Sequence, residues 1–103
     1  KKIIDKELIS LFTSRQSTVN EANRGYGWDR PDRDGTSSAG DYFSDKAFGH
    51  LGYTGTSFWI DPEQELVVVL LTNRVYPTRN NPGIKQVRRK FHNTLNKSIL
   101  RFN

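Results

Sequence analysis

Residues 48–77, FGHLGYTGTSFWIDPEQELVVVLLTNRVYP, decide the fold of this chain. They read as three strands in succession, over residues 47–52, 56–60 and 65–75. Asp61-Pro62-Glu63-Gln64 joins the last two with hairpin-turn chemistry, because Pro presets φ and Asp bonds its own backbone. Residues 66–71 are an unbroken run of Leu and Val, the pattern of a strand buried on both faces. Such a strand needs a covering layer on each side, and a single terminal helix supplies one.

Working outward, residues 77–83 read as loop, and Pro82-Gly83 leads into a helix with Ile84, Val87, Phe91 and Leu95 as its apolar stripe. At the other end Asp5-Lys6-Glu7-Leu8 opens a short helix. Asp5 is placed to cap it, Glu7 suits the positive end of its dipole, and Leu8, Leu11 and Phe12 form one apolar face. Residues 16–23 are polar and predict a loop. Residues 24–29, RGYGWD, predict a short strand whose glycines mark close backbone approach. The Pro, Asp, Gly and Ser of residues 30–40 predict an exposed loop. The fold class expected is α+β, an antiparallel sheet of three main strands plus a short one, packed by N- and C-terminal helices. The sequence holds no internal repeat and no low-complexity segment.

A chain of 103 residues makes one small domain. At 34% hydrophobic and 12% aromatic residues it is neither disordered nor membrane-spanning in composition, and no apolar run nears the roughly 18 residues of a membrane helix. Lys1-Lys2-Ile3-Ile4 runs straight into charged residues and does not match a signal peptide. With no methionine anywhere, the chain reads as a fragment or a processed product. The absence of cysteine excludes disulfides, thiolate nucleophiles and Cys-ligated zinc, and suits an oxidising compartment. The net charge of +5 is uneven. Residues 83–101 carry Lys85, Arg88, Arg89, Lys90, Lys97 and Arg101 without an acid, while the rest is nearly balanced.

His50 is the obvious reactive side chain, since imidazole titrates near neutral pH. A lone strand histidine also serves as a structural hydrogen-bonding residue, but Gly49 and Gly52 flank this one. Glycine in a strand marks a place where a ligand or another backbone comes close, and bared backbone offers its N–H to a carbonyl oxygen turning into an oxyanion. No metal or cofactor is expected, because His50 and His92 lie on different elements without HExxH spacing. A self-contained serine hydrolase is excluded too. There is no GxSxG elbow and no Ser-x-x-Lys: Ser44 is followed by Lys46 at the wrong spacing, and Ser57 leads into Phe-Trp-Ile. The chain alone should turn over nothing. Arg88, Arg89 and Lys90 are contiguous and fan around their helix, which predicts a solvated face rather than a nucleic-acid surface. Asn96-Lys97-Ser98 matches a glycosylation sequon.

The order of these features resembles a known family over nearly the whole chain. A His-x-Gly strand, a turn, a strand ending in a Pro-Glu-x-Glu-Leu turn, an apolar strand, then Thr-Asn-Arg-x-Tyr-Pro and a helix is similar to the C-terminal portion of serine β-lactamases. The nearest group is the class C β-lactamase and penicillin-binding-protein-like family, with its esterase and D-alanyl-D-alanine peptidase members. RGYGWD likewise resembles that family's Gly-x-Gly-Trp-Glu strand.

The resemblance implies acyl transfer on a β-lactam, ester or D-Ala-D-Ala-type peptide. The family's third motif, Lys-Thr-Gly or His-Thr-Gly, is here His50-Leu51-Gly52. His50 would take the cationic position, and the N–H of Tyr53 would be one oxyanion-hole donor. Leu51, Gly52, Thr54 and Arg79 would contact substrate, with Thr78 beside Arg79. Leu51 stands for the usual Thr and His50 for Lys, which favours an esterase, a peptidase or a penicillin-binding protein over a β-lactamase. The resemblance also implies a partner, namely an upstream part of the same polypeptide carrying Ser-x-x-Lys, Tyr-x-Asn and the two strands that complete the sheet. It implies a periplasmic, extracellular or cell-envelope setting, with no nucleic acid and no membrane contact from this segment. The alternative is a catalytically inactive family member that binds or senses peptides.

Overall fold

A computed structural model of the chain describes residues 3–16 and 24–102. The predicted loop at 16–23 lies, apart from Gln16, outside the described residues. The elements in order are helix α1 (Lys6–Thr13), strands β1 (Phe48–Leu51), β2 (Ser57–Asp61) and β3 (Leu66–Leu70), and helix α2 (Ile84–Phe102). The three strands form one antiparallel sheet in the order β1-β2-β3. The α+β reading therefore holds, with the last strand shorter than expected because residues 71–75 leave the sheet.

Register sets what each face carries, because side chains alternate along a strand. Phe48, Ile60 and Val67 align across the sheet, as do His50, Phe58 and Val69. They form an outer face. The inner face carries Gly49 opposite Trp59 and Trp59 opposite Val68, and it holds the core. Trp59 stacks on Phe43 at 6.0 Å between ring centroids, and both join Ala39, Ala47 and Val68 in one buried cluster. Each large apolar side chain buried here is worth about 1.5–3 kcal/mol. Gly49 has no room for a side chain, since a Cβ would collide with the Phe58 carbonyl and the Trp59 ring. The close approach its glycine signalled is made by the neighbouring strand, not by a ligand.

Asp61 closes the β2–β3 turn and anchors the segment before β1. Its buried carboxylate accepts from Ser44 N–H (2.7 Å), Ser44 Oγ (2.6 Å), Glu63 N–H (3.1 Å), Gln64 N–H (3.3 Å) and Gln64 Nε2 (2.7 Å). Burial opposes its charge, but the bonds from Ser44 and Gln64 outweigh it and hold the carboxyl below the usual range.

Two expectations are corrected by packing. Only part of the apolar stripe on α2 faces the core: Leu95 packs against it, but Val87 and Phe91 are exposed, while Arg88, His92 and Asn96, spaced four apart, are buried. The reason lies in what the helix docks against. Residues 37–41 offer bare backbone groups, and α2 answers them with polar side chains. Arg89 donates to Ser37 O (3.3 Å), His92 Nδ1 lies 2.9 Å from Ser38 O, and Asn93 Oδ1 accepts from Asp41 N–H (2.7 Å). The loop predicted as wholly exposed is thus buried at Ser37, Ala39 and Gly40. Gly40 has φ +81° and lies where a Cβ would strike the Asn93 side chain, so only glycine lets helix and loop approach. Asn96 is fully buried and is no glycosylation acceptor in this fold.

The outer face is bare. Val67, Val69 and Leu71 are 63%, 58% and 76% exposed, so the second covering layer that the Leu-Val run demanded is not supplied by the described residues. Helix α1 lies over the Phe48–Ile60 end but leaves an apolar cavity of about 540 Å³ lined by Ile4, Leu8, Phe12, Trp28, Phe48 and Ile60. Residues 24–29 form a tight loop rather than a strand. Arg24 bridges Asp29, and Asp29 pairs with Gly49 on the free edge of β1. In that loop Gly25 passes so near the Phe12 carbonyl that a Cβ would not fit, as predicted, whereas Gly27 stands in open space and is needed instead for its φ of +79°.

Candidate active site

The site is built on the end of β1 and the turn that follows it. Gly49 exchanges both backbone bonds with Asp29, at 2.8 and 2.9 Å. Backbone groups alternate along a strand, so Leu51, two residues on, turns its N–H and C=O to that same edge, beyond the reach of the Asp29 bridge. The Leu51 side chain goes the other way, against the core cluster. It is the backbone of Leu51, not its side chain, that faces the edge.

His50 stands on the outer face, exposed, in a concavity of about 330 Å³ lined by Leu51, Gly52, Thr56, Phe58, Val69 and Leu71. Its Nδ1 lies 3.0 Å from Leu51 O. A carbonyl only accepts, so this nitrogen carries the proton and Nε2 is the atom left for other partners.

The turn after the triplet is tightly tied. Gly52 N–H donates to Thr56 O (2.7 Å) and Gly55 N–H donates to Gly52 O (3.1 Å). Gly55 has φ +107° and abuts Thr72 and Arg74, which no residue with a Cβ would tolerate without strain. Among the described residues no acceptor takes the N–H of Tyr53.

Two arginines hold this turn, and sequence reasoning assigned neither to it. Arg74 donates through Nε to Tyr53 O (2.6 Å) and through Nη1 to Arg79 O (3.1 Å), and its guanidinium lies 4.5 Å from the centre of the Tyr53 ring. Its own N–H bonds Thr54 O at 2.8 Å. Arg88 reaches from α2, donating through Nη2 to Gly52 O (3.0 Å) and Thr56 O (2.8 Å). The solvated face predicted for Arg88, Arg89 and Lys90 is therefore confined to Lys90, with Arg88 buried and Arg89 half-buried on Ser37 and Asp41. The signal available was the spacing Arg88, His92, Asn96, a polar stripe too regular to be surface noise.

Of the residues picked out by sequence, His50, Leu51 and Gly52 share one concavity, and Tyr53 and Thr54 occupy the adjoining turn. Arg79 joins them only through its carbonyl on Arg74, and Thr78 Oγ1 turns back to the N–H of Asn80 at 3.2 Å. His92, the other histidine, is held neutral: burial lowers its pKa and the neighbouring Arg88 charge adds to this, against the bond to Ser38. Among the described residues, no three His, Asp or Glu side chains gather to hold a metal ion.

An antiparallel sheet flanked by helices, with a His-x-Gly strand opening onto a glycine-rich turn, defines a chain of the serine β-lactamase and penicillin-binding-protein-like class. The chain belongs to the beta-lactamase family, whose sequence profile matches residues 5–92. It is 32% identical over 84 residues to proteins named "Putative D-alanyl-D-alanine carboxypeptidase" from Salmonella typhi, Salmonella paratyphi B and Salmonella newport. Those matches cover 81% of this chain and 19% of each relative, so the chain spans about a fifth of their length. No solved structure matches it.

Proposed function

We propose that this chain is the C-terminal part of a serine hydrolase that works by acyl transfer, on an ester, a β-lactam or a peptide ending in D-Ala-D-Ala. In this reading an upstream segment of the same polypeptide brings the Ser-x-x-Lys nucleophile and the Tyr-x-Asn motif to the bare outer face. The nucleophile attacks the substrate carbonyl, and the oxygen that becomes negative is met by the N–H of Tyr53, a donor fixed before the reaction and needing no reorganisation. His50 stands at the family's cationic position and offers Nε2 as a proton partner. The backbone edge of Leu51 pairs with an extended peptide by strand addition. Gly52 and Thr54 shape the wall, and Arg79 approaches a substrate carboxylate.

The observation that carries this reading is the unspent N–H of Tyr53 beside an exposed His50 on an uncovered apolar face. The apolar face supports a covering segment, since exposed Val67, Val69 and Leu71 form the kind of patch that marks an interaction surface. The carboxypeptidase name of the relatives supports a cell-envelope setting. The test is His50→Ala in the longer polypeptide, assayed on an activated ester. The expected loss in kcat/KM is about 100-fold, with His50→Lys recovering part of it. Equal rates for all three proteins contradict the role. A second reading, an inactive peptide-binding member of the family, draws on Leu51, whose side chain offers the cleft no hydroxyl. It predicts peptide binding with no acyl-enzyme at any time.

A further inference from the structure

Arg88 is a buried cation that the proposed chemistry does not use. It is 5% exposed, and among the described residues no carboxylate pairs with it. Burying a guanidinium without a counter-ion costs stability unless its donors are spent on strong acceptors. Arg88 spends Nη2 on two backbone carbonyls, Gly52 O at 3.0 Å and Thr56 O at 2.8 Å, the two ends of the turn after β1, while its buried Nε has no partner among the described residues.

The first of these carbonyls matters more than its place in the turn suggests. Gly52 C=O and Tyr53 N–H belong to one peptide group. The group is planar and trans, so its N–H points opposite to its C=O. A guanidinium on the oxygen therefore aims the Tyr53 N–H away from α2. A cation bonded to an amide oxygen also draws electron density from the nitrogen, which makes the N–H a stronger donor, because hydrogen bonds in a chain polarise one another. Gly55 N–H bonds the same oxygen at 3.1 Å and pulls the same way.

We infer that Arg88 is the positioning residue of the oxyanion site, fixing and polarising the Gly52–Tyr53 peptide from behind. The inference rests on the reading of Tyr53 given above, but its physical core, a polarised peptide, is measurable without turnover.

The experiment uses the longer polypeptide with Arg88→Met and Arg88→Lys. Met keeps the bulk and removes charge and donors, whereas Lys keeps a charge on one narrow head. The first readout is the amide proton shift of Tyr53, which moves upfield in Arg88→Met and less so in Arg88→Lys. The second is ester hydrolysis, where kcat falls about 10- to 100-fold in Arg88→Met, short of the 10²–10³ for a lost donor, with KM unchanged within threefold. A boronic acid that forms the tetrahedral adduct loses affinity in proportion. If Arg88→Met does not fold, Arg88→Lys decides: a several-fold loss in kcat at constant KM supports the role, and a wild-type rate overturns it. A Tyr53 shift unmoved in a folded variant also overturns it. If the parent protein takes no acyl group while the Tyr53 shift moves as expected, the polarised peptide stands and the hydrolase reading fails.

Discussion

His50 and Arg88 show how differently two side chains of the proposed site can be written in a sequence. The exposed place of His50 could be expected, because an imidazole between two glycines on a strand has few structural duties. The place of Arg88 could not, because its partners are backbone carbonyls 36 and 32 residues away, and carbonyls leave no mark in a sequence. Asp61 lies between these cases, since its turn was legible but its hold on Ser44 was not. Replacing Asp61 with Ala strands five donor bonds at once and should cost about 3 kcal/mol in urea unfolding. Its folded pKa is depressed, so its contribution is present above the unfolded value of about 4 and disappears as the pH falls through the folded value. His92 acts in a higher window. Burial depresses its pKa, so the unfolded chain takes up a proton first as the pH drops below about 6.5, and stability falls. Urea midpoints between pH 7.5 and 5.5 should decline in the parent and decline less in His92→Gln. An equal slope in both contradicts the assignment.

At the scale of elements, the strands were readable because alternation, turn chemistry and the Leu-Val run all point to one sheet. The face of α2 was misread for a physical reason. Hydropathy assumes that a helix docks against side chains, as α2 does through Leu95, whereas α2 also docks against the backbone of residues 37–41 and meets it with Arg89, His92 and Asn93. The apolar Val87 and Phe91 are left outward, as Val67 and Val69 are on the sheet. β3 gives the sharpest check of whether these surfaces are covered. In the account, Val69→Lys should cost a longer polypeptide about 2 kcal/mol or more, because it buries a charge, yet leave the gradual melting profile of residues 1–103 alone unchanged. Thermal melts of the two pairs make both comparisons. An unaffected longer polypeptide would mean that the outer face is a true surface.

At the scale of the whole molecule, the described residues leave one side of the sheet filled and one side empty. The filled side holds Trp59, Phe43 and Val68, a small core for 103 residues. On the empty side lie the cavity of about 540 Å³ under α1 and the bare valines of β3. Residues 1–103 in isolation should therefore unfold gradually in urea and bind a hydrophobic dye, and a sharp cooperative transition of a stable monomer would contradict the need for a covering segment. That expectation comes from the Leu-Val run of residues 66–71. The proposed cover is an upstream segment that the resemblance implies, and residues 1–103 hold no Ser-x-x-Lys from which to read it.

The central claim is that this chain forms one wall of a serine acyl-transfer site. It is tested most directly by the intact mass of the longer polypeptide before and after incubation with a penicillin or an activated ester, followed by mapping of the modified peptide. The account predicts a gain of one acyl group on a serine in a Ser-x-x-Lys sequence outside these 103 residues. No adduct, or an adduct on a serine within this chain, would contradict it.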